Sequence, residues 1–214
     1  MSRVLYITGI ESADALLNRD GTALMIGMLL DQQVPMEWAF TGPYTIRKRL
    51  GHLNPKRIAA MNVDEFVAIC SEKPAIHRFP KSMATRVHQL CLALTQDHSG
   101  KAENVWKDVP DAEQLMKRLR KLPGFGEEKA QIFIALLGKR FGVRPSGWQK
   151  FAGVFSDKQP RSVADIYSAA TLLKVRGFKQ MQRALDHDKQ DRPNRPNRPN
   201  RPNRPNRPIA KKSK

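Results

Sequence analysis

Through the first 141 residues apolar side chains return at every third or fourth position, as in Met83, Val87, Leu90, Cys91 and Leu94. That spacing lines one face of an α-helix. It predicts helices over 13–17, 22–33, 36–50, 55–61, 63–70, 82–97, 112–121 and 127–141. Start signals fall where the pattern begins: Asn54 before Pro55, Asn62 before Val63-Asp64-Glu65, Ser82, and Pro110-Asp111. Each offers a first helical turn a side-chain acceptor, a proline or an acid. Only residues 4–8 alternate like a strand, and one strand has nothing to pair with. The expectation is an all-α domain of short helices joined by short turns.

Toward the C-terminus the pattern gives way to a repeat. From Arg192 the triplet Arg-Pro-Asn recurs through Arg207-Pro208, and the chain closes on Lys211-Lys212-Ser213-Lys214. A proline at every third position forbids helix and supplies no core, so 186–214 reads as a disordered basic tail behind a 1–185 domain. Such an arm either adds salt-dependent contacts to a nucleic-acid backbone or simply keeps the chain in solution.

Charge extends this reading to the domain. Of the formal +18, residues 186–214 carry +7, leaving +11 on residues 1–185. A folded part that is basic in its own right favours a polyanionic partner. No apolar run reaches the ~18–20 residues of a membrane span, and no signal-peptide pattern opens the chain. The expected setting is therefore the cytoplasm, on the nucleoid, with no membrane partner and a monomeric state. Two cysteines, Cys70 and Cys91, are too few for a four-cysteine cluster and sit on apolar helix faces as buried thiols would. The five histidines show no metal spacing, so no metal site is expected.

Two segments carry candidate chemistry. In Leu122-Pro123-Gly124-Phe125-Gly126-Glu127-Glu128-Lys129-Ala130 a Pro-Gly-x-Gly turn separates two helical patterns. Proline ends the first helix, and the glycines let backbone approach a ligand. The second helix then starts with free amides and the positive end of its dipole, which suit a phosphate. The same sequence also suits an ordinary helix corner. Upstream, the apolar segment Leu29-Leu30 ends in Asp31-Gln32-Gln33 before Val34-Pro35. Glutamine amides both donate and accept, so they either read or fill a gap in a base stack, or they solvate a helix end.

Together, Leu30-Asp31-Gln32-Gln33 and, about 90 residues further on, Leu122 to Ala130 resemble the helix-hairpin-helix (HhH-GPD) base-excision DNA glycosylases. That superfamily includes endonuclease III, the adenine-mismatch glycosylase and the alkyladenine glycosylases. The likeness is strongest to a divergent, actinobacterial-type branch and covers residues 20–150. It implies a two-lobed helical fold that binds duplex DNA containing a damaged base. Gln32, Gln33, Leu122, Pro123, Gly124, Phe125, Gly126 and Lys129 would make the DNA contacts, with Gln33 as the wedge. A K⁺ or Na⁺ ion held by hairpin carbonyls is implied as well, whereas the iron–sulfur ligands of the endonuclease III branch are missing.

The sequence departs from that pattern at the reacting groups. Ser146, or Pro145, stands where the family's catalytic aspartate is expected, and no Asp or Glu occurs from Lys129 through Ser156. The Schiff-base lysine of the lyase members corresponds to Glu128, so a lyase is not expected. Breaking an N-glycosidic bond builds positive charge on the sugar, which a nearby carboxylate stabilises. Glu128 and Asp31 are the leading candidates, Glu37 follows, and Ser146 could position water. The expected function is a monofunctional DNA glycosylase in base-excision repair. The alternative is a non-catalytic lesion-sensing DNA-binding protein.

Overall fold

The central helix is the one with no polar face. All ten residues of α2, Gly21–Leu30, are buried, as a helix apolar on every side must be. Its start is fixed twice: Asp20 accepts the Ala23 amide at 3.0 Å and Glu103 accepts the Gly21 amide at 2.9 Å. Packed on it are α1, Glu11–Arg19, and α3, Met36–Leu50. A Cβ at Gly27 would lie 2.6 Å from the Phe40 ring, so only glycine lets α3 lie this close. The structure, a computed structural model, describes residues 4–190, without the side chains of Arg183 and residues 186–190. The Arg-Pro-Asn repeat lies outside the described residues.

Two further groups complete the architecture, which among the described residues is all-helical with no strand. Helices α4, Pro55–Ala59, and α5, Val63–Ser71, pack on α6, Pro80–Asp97. Asn54 and Asn62 cap the first two through their side chains, as the sequence signals predict. Cys70 and Cys91 are buried here and unbonded. Burial pushes each thiol up to about 12, so both stay protonated and act as packing groups. The third group is α7, Ala112–Arg120, α8, Glu127–Leu136, and α9, Trp148–Ala152. Asp111 caps α7 by accepting the Gln114 amide at 2.8 Å.

Several elements differ from expectation. The helix expected over 22–33 stops at Leu30, because Pro35 disfavours helix at Val34 and Gln33 turns left-handed at φ 54°. The helix expected over 127–141 continues past Leu136 as a wider π turn over Leu137–Phe141. The alternating residues 4–8 find no strand partner: the Asn18 side chain bonds both the amide and the carbonyl of Leu5, and the Asp14 carboxylate takes the amides of Ile7 and Thr8. A last helix not expected from the pattern, α10, spans Ala169–Gln190 and runs across the proposed boundary at 185. It buries Leu172 and Val175, while Arg161 stacks on its Phe178 ring at 5.3 Å.

Candidate nucleic-acid interface and cleft

The hairpin is held from behind and open in front. Leu122 and Phe125 are buried, and Phe125 meets Phe133 edge-on at 5.8 Å. These two side chains anchor the turn in the core, so what the turn can offer a ligand is backbone. Gly124 takes φ 79°, a conformation that disfavours other residues. Gly126 does not need that freedom, since its φ is −75°. What it contributes is the missing side chain: nothing lies within 4 Å of where its Cβ would be. No side chain caps the start of α8, so its first amides face the opening unpaired by the helix.

Around that opening gather residues the sequence reading passed over. Arg86 and Gln89 from α6 and Arg120 from the end of α7 line the recess together with Gln32, Pro123, Gly124 and Gly126. Two guanidinium groups, a helix N-terminus and two glycines of the turn line a recess whose chemistry suits an anion. Spacing along the chain could not have found Arg86 or Arg120, because each arrives from a different helix.

A larger cleft of about 930 Å³ is bordered by Asp31 and Gln33–Pro35 of the same loop. Its lining includes the carboxylates Asp31, Glu37 and Glu128, the cations Arg78, Lys129, Arg176 and Lys179, and an apolar floor of Met28, Met36 and Ile132. Both leading catalytic candidates, Asp31 and Glu128, thus share one cleft with Glu37. Ser146 is not among its lining residues; it is exposed, and its carbonyl accepts the Ala112 amide at 2.9 Å. Trp148, the first residue of α9, packs where a side chain at Gly138 would stand. Burial raises the Asp31 carboxyl above its ordinary range, against the opposing pull of Lys179 and Lys129.

The loop between the two openings is clamped. Lys129 of α8 donates to the carbonyls of Met28 at 2.7 Å, Leu29 at 3.0 Å and Asp31 at 3.5 Å. A cation there complements the C-terminal end of the α2 dipole. Its amine is depressed to about 8, chiefly by burial. His77 is buried beneath the loop: Nε2 donates to the Gln32 carbonyl at 2.9 Å, and Nδ1 accepts the Phe79 amide at 3.1 Å. Both ring nitrogens are engaged only in the neutral form, and burial accordingly lowers its pKa. Gln32 is folded back, donating to the Leu29 carbonyl at 2.7 Å with Arg86 on its amide oxygen at 3.3 Å. Gln33, by contrast, projects exposed and lines the cleft.

Among the described residues no group of three or more His, Cys, Asp or Glu side chains could hold a metal ion. Nor, among them, is any helix long and apolar enough to cross a membrane. Compared with protein-family models, with curated proteins and with solved structures, the chain matches none.

Proposed function

We propose that this chain is a base-excision DNA repair protein, a two-lobed helix-hairpin-helix glycosylase that hydrolyses the bond between a damaged base and its sugar. The observation that carries the reading is the shared loop. The basic hairpin recess and the carboxylate cleft both border one clamped segment, Asp31–Pro35, the recess at Gln32 and the cleft at Asp31 and Gln33–Pro35. A duplex held by a backbone phosphate at α8, Arg86 and Arg120 would present its stack to Gln33, whose amide could occupy the space an extruded base leaves. The extruded nucleotide would then enter the cleft.

The chemistry asks for a carboxylate beside the anomeric carbon, to stabilise the sugar cation and to take a proton from water. Asp31 is the best placed, because it sits at the root of the loop with Lys129 behind it; Glu128 stands across the cleft. Lys129 spends its ammonium protons on three carbonyls, so its role is to clamp the loop, and no imine chemistry is assigned to it. Of the turn carbonyls, Leu119 accepts the amides of Lys121 and Leu122, whereas Leu122 accepts that of Phe125 and keeps a second lone pair. Its oxygen chemistry fits a K⁺ or Na⁺ ion that would brace the turn.

The test is to incubate the full chain with duplexes carrying a panel of base lesions and to reveal abasic sites with alkali. Base release that Asp31→Asn abolishes while duplex affinity holds supports the reading. Duplex binding without release from any lesion leaves the alternative, a lesion-sensing binding protein. The lack of any Asp or Glu from Lys129 through Ser156 is the observation that favours that alternative.

A further inference from the structure

At the cleft mouth the groups come from the two ends of the described chain. Arg176 of α10 donates from Nε to Glu37 Oε1 at 2.8 Å, and its Nη2 reaches the same oxygen. Three residues on, and so on the same helix face, Lys179 places Nζ 3.2 Å from the Met36 sulfur. A thioether is a weak acceptor for an ammonium. Among the described residues no carboxylate lies within ion-pair distance of Lys179. Arg78, across the same cleft, has its guanidinium over the Phe79 ring at 4.5 Å and likewise makes no ion pair there. Three cations therefore border one opening in which Glu37 is the carboxylate held in an ion pair and Asp31 lies within electrostatic reach of Lys179; the arginine side of the pair is 48% exposed and the glutamate side 21%. An ion pair whose arginine is open to water is screened on that side and can exchange its partner.

We infer that α10 carries a second nucleic-acid phosphate station at the cleft mouth, where Arg176 exchanges the Glu37 carboxylate for a backbone phosphate that Lys179 and Arg78 also face. The inference rests on the proposed function and deepens it. In the free protein Arg176 masks Glu37. When a strand enters, the arginine turns to the phosphate and Glu37 is left facing the extruded nucleotide. Two stations, one at the hairpin and one at α10, would hold the backbone on both sides of the loop that carries Gln33. Bidentate guanidinium geometry suits phosphate at least as well as carboxylate.

Breaking the pair from either end separates this from a merely structural tie. Arg176→Met and Glu37→Gln remove the same ion pair and should lower the thermal midpoint alike, but their effects on duplex binding should be opposite. Glu37→Gln should tighten binding, by more than the charge-matched control Glu113→Gln on the exposed face of α7. Arg176→Met with Lys179→Met should weaken binding several-fold and reduce the slope of log affinity against log salt by about 1 to 2. Inorganic phosphate should compete with the wild type more strongly than with the double variant. If both single variants shift affinity in the same direction, or the double variant leaves the salt slope unchanged, the station is wrong. The proposed function fails separately. Gly126→Ala should weaken binding through the hairpin whatever α10 does; if it does not, or if the wild type has no duplex affinity, both readings fall.

Discussion

At the scale of single residues, the Asp31–Pro35 loop carries one strained residue, Gln33, and is clamped by one titrating group, Lys129. Gln33 holds φ 54° without being glycine, and a side chain kept in that region costs on the order of 1 kcal/mol. Replacement by glycine removes the strain but frees the unfolded chain, so Gln33→Gly should shift stability upward by a few tenths to about 1 kcal/mol. The same change should weaken binding to lesion duplexes, since the wedging amide is lost. Chemical denaturation and duplex titration of one variant test both halves, and a destabilised Gln33→Gly would remove the case for strain. Lys129 allows a test by pH. Its pKa falls from 10.5 unfolded to about 8 folded, so between these values the unfolded chain binds the extra proton. Stability from this group therefore rises with pH across that window, by at most about 1.4 kcal/mol per pH unit. The difference in unfolding free energy between wild type and Lys129→Met should follow that rise; a flat difference would show the amine to be unperturbed.

At the scale of elements, the two hairpin glycines, alike in sequence, do different work. Gly124 needs its left-handed backbone, and a Cβ there would also stand 3.3 Å from Leu29. Gly126 has ordinary angles and open space. Gly124→Ala should cost about 1 to 2 kcal/mol of stability, whereas Gly126→Ala should leave stability nearly unchanged and weaken duplex binding by putting a methyl group over the α8 amides. Equal losses of stability in the two variants would contradict this division. It also marks how far the sequence could be read. The Pro-Gly-x-Gly punctuation located the turn, and Asn54, Asn62 and Asp111 marked helix starts that the structure keeps, because caps and prolines act within a few residues. What spacing could not supply was anything assembled across helices. Arg86 and Arg120 meet the hairpin through tertiary packing. The end of α2 was set by Gln33 and Pro35 rather than by the apolar run. Helix α10 buries only a few side chains, so its periodicity was too faint to register.

At the scale of the whole molecule, charge decides how tightly any polyanion is held and how quickly salt removes it. The part that ends with α10 and the residues beyond it contribute to that charge in similar measure, +10 on residues 1–190 and +8 on residues 191–214, but they need not contribute alike to binding. Charge that is fixed in a recess gives a definite number of phosphate contacts, and each adds about 0.9 to the salt slope on duplex DNA. Charge on the Arg-Pro-Asn repeat adds to the slope only if the repeat lies along the backbone. Truncation after Gln190 separates the two. If the repeat touches DNA, the slope should fall by several units while lesion preference and base release at low salt persist, since the hairpin recess and the cleft lie wholly within residues 28–180. An unchanged slope would make the repeat a solubilising appendage and assign the electrostatic grip to Arg86, Arg120 and the α10 cations. Loss of lesion preference on truncation would mean instead that the arm takes part in finding the damaged base, and the division between a discriminating cleft and an adhesive tail would have to be abandoned.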